Sequence, residues 1–214
     1  MSAALPRQQV AAGELLQHLS RTRYRGQALF YGHDGSNRYD AADGAYGVLY
    51  LGTDLSTALM ESVFHQHNWH RRKARDISLH EVRSRLVRAV GVVHSLTLAD
   101  LTAPGAVVQH FGLNLSQIAS RRYTHSHRIS KAVYEAIDTA GEPVFDGLLY
   151  PSHNNYPASC IAMFERAAHK VRCLNDIDLV DHVDWPAFVR DYRVAVVDSP
   201  LPVGRMSKSP ASLP

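Results

Sequence analysis

A short apolar strand that leads directly into a capped helix is the feature that most constrains the fold of this chain. Residues 48–52 read Val-Leu-Tyr-Leu-Gly, which has the length and composition of a buried strand. Either Thr53 or Asp54 can cap the helix that follows, and we predict that this helix runs to about residue 67. Its apolar stripe has the spacing i, i+4 and i+8: Leu55, Leu59 and Val63. The helix is therefore expected to pack on the sheet through this stripe.

The rest of the chain mixes strands and helices without strict alternation. Apolar runs predict strands at residues 77–82, 89–96, 147–150, 160–165 and 193–197. Helical spacing predicts helices at residues 13–20, 126–140 and 185–192, with Gly141 ending the second and Pro186 in the first turn of the third. Residues 21–25 read as a strand that runs into a loop, residues 28–43 as a loop, and residues 99–120 as loop and short helix. We therefore predict an α/β (or α+β) fold with a mixed β-sheet core flanked by helices.

Length and composition indicate one globular domain. The 214 residues are 45% hydrophobic and 20% charged, and a chain of this length can bury about 70% of the surface that its unfolded form exposes. We expect a single domain over residues 1–198, followed by a flexible tail rich in Pro and Ser at residues 199–214. The net charge of +3 suits an anionic ligand such as a nucleotide, but it does not require a nucleic acid.

The cysteines and the N-terminal residues bear on the compartment. Cys160 and Cys173 lie in apolar, strand-like runs without a metal-binding spacing, so we expect buried free thiols and a reducing cytoplasm. Residues 1–7 lack the basic and apolar segments of a signal peptide. No apolar run approaches the roughly 20 residues that span a bilayer. These features predict a soluble, cytoplasmic protein.

Three polar segments carry groups suited to chemistry on a dinucleotide. Arg38 lies in the turn Gly-Ser-Asn-Arg-Tyr-Asp, Glu61 lies in the helix after the strand, and Ser152 lies in the later turn Tyr-Pro-Ser-His-Asn-Asn. Because Glu61 is off the apolar stripe, it can face a cleft while the helix stays on the sheet. A guanidinium suits phosphate oxygens. A carboxylate stabilises the positive charge that a sugar ring gains when its glycosidic bond breaks.

Five segments in a fixed order extend this pattern: Asn37-Arg-Tyr-Asp40, Gly47-Val-Leu-Tyr50, Ala58-Leu-Met-Glu61, Asp146-Gly-Leu-Leu-Tyr150-Pro-Ser152 and Ile161-Ala-Met-Phe164. Together they resemble the RES-domain family over about residues 19–171, with Tyr39 where that family commonly has phenylalanine. The resemblance implies a fold similar to ADP-ribosyltransferases. It also implies a toxin of a bacterial toxin–antitoxin pair that consumes NAD by hydrolysis, phosphorolysis or ADP-ribosyl transfer. The expected partner is an antitoxin with a helix-turn-helix, Xre-like DNA-binding domain.

The resemblance implies catalytic roles for three residues. Glu61 would stabilise the cationic sugar as nicotinamide leaves, and it could also orient a water, a phosphate or a hydroxyl acceptor. Arg38 would bind the pyrophosphate or hold the nicotinamide ribose. Ser152 would hydrogen-bond the nicotinamide amide or the ribose.

Further residues would bind the dinucleotide. Tyr50 would border the nicotinamide ring, and Tyr46 is a weaker candidate for the same task. Asn155 is a further candidate from the later turn. The early arginine of the family has three candidates, of which Arg21 is preferred for its distance from the Tyr-Gly pair at residues 31–32: Arg21, Arg23 and Arg25.

The histidines and one basic cluster offer other interpretations. His65, His67 and His70, and likewise His125 and His127, lack the spacing of a zinc site, so no metal is expected. Residues 71–75 are basic and could contact nucleic acid or an acidic face of an antitoxin, but they lack the interleaved aromatics of single-strand binding. We expect no direct contact with nucleic acid.

We consider two other functions as alternatives to NAD consumption. A binding module that keeps the fold without turnover would bind NAD and leave it intact. A nucleic-acid-directed protein would bind DNA or RNA in a salt-dependent manner without needing Glu61. The sequence leaves open the nucleophile that accepts the ADP-ribosyl group, the identity of the antitoxin and the oligomeric state, a homo-oligomer included.

Overall fold

A computed structural model describes residues 4–65, 74–118, 120 and 122–198 of the chain. In this part the strands are β1 (Arg7–Val10), β2 (Leu15–Arg21), β3 (Val48–Gly52), β4 (Arg75–Ser78), β5 (Arg85–Val92), β6 (Leu96–Asp100), β7 (Gly147–Pro151), β8 (Ser159–Phe164), β9 (Val171–Asp178) and β10 (Val194–Val197). The helices are α1 (Leu55–Glu61), α2 (Leu79–Arg83), α3 (Ala106–Phe111), α4 (Leu115–Ile118), α5 (Thr124–Tyr134) and α6 (Trp185–Asp191). Short 3₁₀ turns cover Thr22–Tyr24, Glu165–Lys170 and Leu179–Asp181.

Eight of these strands form one mixed sheet in the order β1-β6-β7-β8-β3-β2-β5-β9, and β4 pairs with β10 in a small parallel sheet. The large sheet is antiparallel apart from the parallel pair β6–β7. Its centre is loosely joined: β2 and β3 share one registered pair, Gln17 opposite Gly52. By contrast, β2 pairs with β5 along its whole length. The sheet therefore opens between β2 and β3.

The core has three apolar clusters on the two sides of this sheet. Strand β3 is buried on both faces, since Val48 belongs to the cluster under α5 and Leu49 to the cluster on the opposite face. The third cluster joins α1 and α6 through Leu59, Phe64 and Phe188. Burial of an apolar side chain of this size stabilises a fold by about 1.5–3 kcal/mol. The mixed sheet flanked by helices that we predicted is confirmed.

Helix α1 shows how local sequence sets an element. The Asp54 carboxylate accepts a hydrogen bond from the Thr57 amide at 2.7 Å, so Asp54 is the N-cap. The helix ends at Glu61, earlier than the predicted residue 67, and residues 66 and 67 lie outside the described part. Its stripe residues Leu55 and Leu59 are buried as expected.

Four other predicted elements also match the structure. The strands at 147–150 and 160–165 correspond to β7 and β8, and the last strand to β10. The predicted helix at 185–192 corresponds to α6, which has Pro186 in its first turn. Short helices in the predicted loop at 99–120 correspond to α3 and α4, although that segment begins with the end of β6.

The helix predicted at residues 13–20 is wrong, because this segment is strand β2. Leu16 is buried in one apolar cluster and Leu19 packs against another. A strand covered on both faces carries apolar residues at consecutive and spaced positions, which imitates helical spacing. Arg21 is the last residue of β2, and a 3₁₀ turn follows it instead of more strand.

Three other predicted elements have different boundaries in the structure, because side-chain caps and turns end them earlier or divide them. The predicted strand at 77–82 ends at Ser78, whose hydroxyl accepts the Glu81 amide at 3.1 Å and starts α2. The predicted strand at 89–96 is the end of β5, a turn and the start of β6. The predicted helix at 126–140 ends at Tyr134. Gly141, with φ of 85°, lies in a turn in which Asp138 accepts backbone amides instead of ending that helix.

Both cysteines are free thiols, as predicted, but their burial differs. Cys160 is buried, whereas Cys173 is half-buried with its sulfur beside the Asp176 carboxylate. Of the basic cluster, residues 71–73 lie outside the described part, as does the tail from residue 199. Arg75 is buried in β4 and donates to the Tyr192 carbonyl, so it is not a surface cation.

No helix within the described residues is both long and apolar enough to cross a bilayer.

Candidate active site

Glu61 is the last residue of α1, and a close approach of that helix to β3 sets its position. A Cβ atom added to Gly52 would lie 2.6 Å from the Ala58 backbone nitrogen, which is closer than atoms tolerate. Glycine at this position therefore lets α1 lie directly on the strand. The C-terminal end of the helix then reaches the opening between β2 and β3.

Three donors from the turn after β7 converge on one oxygen of Glu61. Glu61 Oε1 accepts hydrogen bonds from Ser152 Oγ at 2.8 Å, the His153 amide at 2.7 Å and the Asn154 amide at 3.2 Å. No described residue donates a hydrogen bond to Oε2. The turn thus fixes the carboxylate through one oxygen and leaves the other for a ligand.

Ser152 and Asn155 make this turn rigid. The buried Ser152 hydroxyl donates to Glu61 and accepts the Asn155 amide at 2.9 Å. The Asn155 side chain donates to Thr57 Oγ1 at 3.0 Å and accepts from the Tyr192 hydroxyl. Asn155 therefore joins the turn to α1 and to the end of α6, and it does not line the cavities described next.

Two cavities meet at Ser152 and Glu61. The Arg38 cavity has a volume of about 360 Å³, and its lining includes Arg38, Tyr39, Ile118, Ser152 and Tyr156. The Glu61 cavity has a volume of about 70 Å³, and its lining includes Gln17, His18, Tyr50, Glu61 and Tyr150. The rings of Tyr39 and Tyr150, one from each cavity, lie 4.6 Å apart. With the hydrogen bond from Ser152 to Glu61, they form the wall between the two cavities.

Arg38 brings a cation to the larger cavity. One nitrogen of its guanidinium donates to the Ile118 carbonyl at 2.7 Å, and its carbon lies 5.9 Å from the centre of the Tyr123 ring. Within the described residues, Arg38 forms no ion pair with a carboxylate. Its remaining donors are therefore available to an anionic group in the cavity.

Tyr50 and Asp40 hold the segment that carries Arg38. The Tyr50 hydroxyl donates to Asp40 Oδ1 at 2.8 Å and accepts the Tyr39 amide at 2.8 Å. The fully buried Asp40 carboxylate also accepts the backbone and side-chain nitrogens of Asn37. Burial, together with the neighbouring Asp40 carboxylate, raises the pKa of Tyr50 well above its ordinary value. The hydroxyl thus stays protonated and structural, and Tyr50 is also one of the residues that line the Glu61 cavity.

Two predicted binding residues lie elsewhere. Arg21 donates to Glu81 and Ser84, both at 2.8 Å, and lines neither cavity, so its predicted role as an anion clamp there finds no support. Tyr46 is buried, stacked on Tyr134 at 4.0 Å, and donates to Ser130, so it is a core residue rather than a wall of the site. Arg21 is the last residue of β2, whereas Tyr46 lies in the turn before β3.

The other two candidates for the early arginine also lie outside both cavities. Arg25 forms an ion pair with Asp178, and the Arg23 guanidinium lies 4.7 Å from the centre of the Tyr24 ring. Within the described residues, Arg38 is the arginine that lines either cavity.

Several lining residues were not identified from the sequence. Tyr39 and Tyr150 belong to two of the five ordered segments, and their aromatic side chains could have marked them as candidates for a cavity wall. Gln17 and Ile118 carried no signal, because they reach the cavities through the pairing of β2 and the course of the segment around α4. Among the described residues, no three His, Cys, Asp or Glu side chains cluster closely enough to hold a metal ion.

Comparison with known proteins places this site in a family. A model described as the RES domain matches residues 9–186, which is most of the chain. The chain belongs to the RES-domain family. The matched span includes Arg38, Glu61 and Ser152, and the resemblance read from the motifs is confirmed.

One solved structure supports the shared fold of this RES-domain protein. It is a chain of the crystal structure of the M. tuberculosis MbcT–MbcA toxin–antitoxin complex, with a TM-score of 0.59 and 13% sequence identity. The match covers 86% of this chain and 91% of that one. At this identity the likeness concerns the fold. A search of curated proteins found no match.

Proposed function

We propose that this RES-domain protein consumes NAD⁺ by cleaving the bond between nicotinamide and ribose. The observation that carries the proposal is the Glu61 carboxylate, fixed by three donors on one oxygen at the junction of two cavities. One cavity offers a guanidinium with free donors, and the other is walled by tyrosine rings. A pyrophosphate and an aromatic base need these two environments.

The chemistry follows from the charge that develops on the sugar. As the glycosidic bond breaks, its electron pair leaves with nicotinamide and the ribose gains oxocarbenium character. The open oxygen of Glu61 would lie against this charge, and preorganised electrostatic stabilisation of this kind supplies about 3–4 kcal/mol. Arg38 would bind phosphate oxygens through its remaining donors. A nucleophile then adds to the ribose carbon, and water, phosphate or a protein hydroxyl each gives a different product.

The biological role is proposed as the toxin of a type II toxin–antitoxin pair in the cytoplasm. Membership of the RES-domain family supports this role, and so does the fold shared with a chain of a toxin–antitoxin complex. The partner would be an Xre-like antitoxin with a helix-turn-helix domain. ADP-ribosylation of a target protein and binding of NAD⁺ without turnover are the alternatives that product analysis distinguishes.

Product analysis identifies the reaction. The purified protein is incubated with NAD⁺, with and without inorganic phosphate, and the products are separated by mass spectrometry. We expect nicotinamide together with ADP-ribose or its 1″-phosphate. A modified protein would indicate ADP-ribosyl transfer, and unchanged NAD⁺ that is nevertheless bound would indicate a binding module.

The Glu61→Gln variant tests the catalytic carboxylate. Glutamine keeps an oxygen for the three donors from the turn and removes the negative charge, so the fold should survive. We expect nicotinamide release to fall by at least about 100-fold, as when a preorganised group is removed from other active sites. The exposed Glu142→Gln is the matched control and should keep the parent rate. Equal rates for Glu61→Gln and the parent would show that Glu61 does not carry the charge.

A further inference from the structure

Gln17 lies where the large sheet opens. It is the residue of β2 that is registered with Gly52, the last residue of β3, and this is the one registered pair between the two strands. Gln17 is one of the residues that line the Glu61 cavity, together with Tyr50 and Glu61. The position therefore brings a primary amide into the same small cavity as the candidate catalytic carboxylate.

The amide of Gln17 is not satisfied by the protein. Its Oε1 is fully buried and accepts no hydrogen bond from any described residue. A buried acceptor without a partner costs free energy, and few such groups occur in a native structure. Because this acceptor belongs to a residue that lines a cavity, a bound ligand could supply the missing hydrogen-bond donor.

Apart from Glu61, three other polar residues of the same cavity already have hydrogen-bond partners for their side chains. His18 Nδ1 lies 2.9 Å from the Tyr50 carbonyl, and burial lowers the pKa of His18, which favours its neutral form. The Tyr50 hydroxyl donates to Asp40, and the Ser62 hydroxyl donates to the Ala58 carbonyl. Among the described residues of this cavity, the Gln17 oxygen is thus an unmatched acceptor beside the open Oε2 of Glu61, and unlike Glu61 it carries no charge.

We propose that Gln17 selects the carboxamide of the departing base, an inference that rests on the proposed function. A carboxamide carries N–H donors that complement the Gln17 oxygen, and its own oxygen can accept from the Gln17 NH₂ group. The corresponding acid, as in nicotinic acid adenine dinucleotide, has no such donor and is an anion. It would place carboxylate oxygens against Gln17 Oε1 in a cavity that already holds Glu61.

The size of the preference follows from a single buried hydrogen bond. A site built to bond a substrate group discriminates against an analogue that lacks it, because the protein group is then left unpaired. We expect the parent protein to favour NAD⁺ over nicotinic acid adenine dinucleotide by roughly ten- to a hundredfold in kcat/KM.

The test compares both dinucleotides with the parent, Gln17→Met and a control. Methionine is close to glutamine in length and carries no amide, so Gln17→Met should lose most of the preference through a fall in kcat/KM for NAD⁺. Gln17→Leu is the second variant, to be used if the first folds poorly. Gln8→Leu, at an exposed position of β1, should keep the parent's preference. The melting temperature of Gln17→Met should not fall, since the change removes an unpaired buried oxygen; a purely structural role would lower it.

Measurements of dinucleotide binding show whether the Gln17 inference is wrong or the proposed function is wrong. The two dinucleotides are titrated calorimetrically into Glu61→Gln and into Glu61→Gln carrying Gln17→Met. If the parent cleaves NAD⁺ but Gln17→Met keeps its preference, the Gln17 inference is wrong and the proposed function stands. If the parent cleaves neither dinucleotide, a binding preference that depends on Gln17 still supports the inference. Equal binding of both dinucleotides by Glu61→Gln, or binding of neither, would overturn it.

Discussion

At the scale of single residues, the site depends on hydrogen bonds that position other groups. Tyr50 was predicted as a platform for nicotinamide, and it is one of the residues that line the Glu61 cavity. Its hydroxyl has a second task, since it links the buried Asp40 to the Tyr39 amide beside Arg38. The Tyr50 hydroxyl, from strand β3, therefore holds in place the turn that carries Arg38.

The variants Tyr50→Phe and Asp40→Asn test this linkage. Tyr50→Phe leaves Asp40 Oδ1 and the Tyr39 amide without a partner, so we expect the free energy of unfolding to fall by about 1–3 kcal/mol. Because both residues belong to one hydrogen-bonded unit, the double variant should lose less than the sum of the single losses. Urea denaturation measures each value.

Tyr156→Phe is the control for this series, since Tyr156 is 82% exposed and its hydroxyl makes no hydrogen bond to the described residues. It should leave stability nearly unchanged. Strict additivity of Tyr50→Phe and Asp40→Asn would show that the two groups stabilise the fold independently.

At the scale of elements, the packing of α1 on β3 decides where Glu61 lies. The apolar stripe of the helix was readable from its spacing, and its cap was narrowed to Thr53 or Asp54, of which the structure has Asp54. The distance of the helix from the strand depends on a single glycine, because a Cβ at residue 52 would also lie 2.9 Å from the Ala58 Cβ. Contact this close makes the helix position sensitive to one methyl group.

Gly52→Ala should therefore impair both stability and activity. Overpacking of this kind costs about 1–3 kcal/mol, and a displacement of about 1 Å at a catalytic group can lower a rate by about 100-fold. We expect a lower melting temperature and at least a tenfold slower release of nicotinamide from NAD⁺. Gly32→Ala is the matched control, since a Cβ there would meet nothing closer than 3.9 Å. Unchanged activity in Gly52→Ala would show that Glu61 tolerates movement of α1.

At the scale of the whole molecule, β2 is held in the sheet mainly by β5, because it shares one registered pair with β3 and seven with β5. The half with β2 is closed by β5 and β9, where Arg88 and Asp176 form a buried ion pair at 2.9 Å. Burial alone would raise the pKa of Asp176, but the Gly26 amide and Arg88 outweigh it and hold the pKa below its usual value. Arg88 also donates to the carbonyls of Gln27 and Ala28, which joins the preceding loop to the sheet.

The pH dependence of global stability should report the burial of His18. Burial lowers the folded-state pKa of His18 below the ordinary 6.5. The unfolded chain therefore binds the proton more readily, and the contribution of His18 is fully present above about pH 6.5 and lost as the pH falls toward the folded-state pKa. Urea midpoints of the parent protein should decrease from pH 7.5 to pH 5.5.

The variant His18→Asn should flatten this dependence, since asparagine does not titrate and keeps a donor for the Tyr50 carbonyl. The exposed His94→Asn is the control and should leave the slope unchanged. If His18→Asn had the same slope as the parent between these pH values, His18 would not be the titrating group.

The sequence by itself determined the features that depend on near neighbours. The strand at 48–52, a helix cap at Thr53 or Asp54, Pro186 at the start of α6 and the turn around Ser152 all follow from spacing and turn chemistry within a few residues. The family was readable from ordered motifs, and the RES-domain match confirms it. The same motifs predicted Glu61 and Arg38 as candidate site residues, and each lines one of the two cavities.

Tertiary structure alone decided the contacts between distant parts of the chain. The pairing of β2 with β5 turned a predicted helix into a strand, directed Arg21 to Glu81, and brought Gln17 into the cavity of Glu61. The bonds from residues 152–154 to Glu61 join a turn to the end of a helix more than 90 residues away. Local patterns record which face of an element is apolar, whereas the partner of each polar side chain is set by long-range pairing that leaves no periodic trace in the sequence.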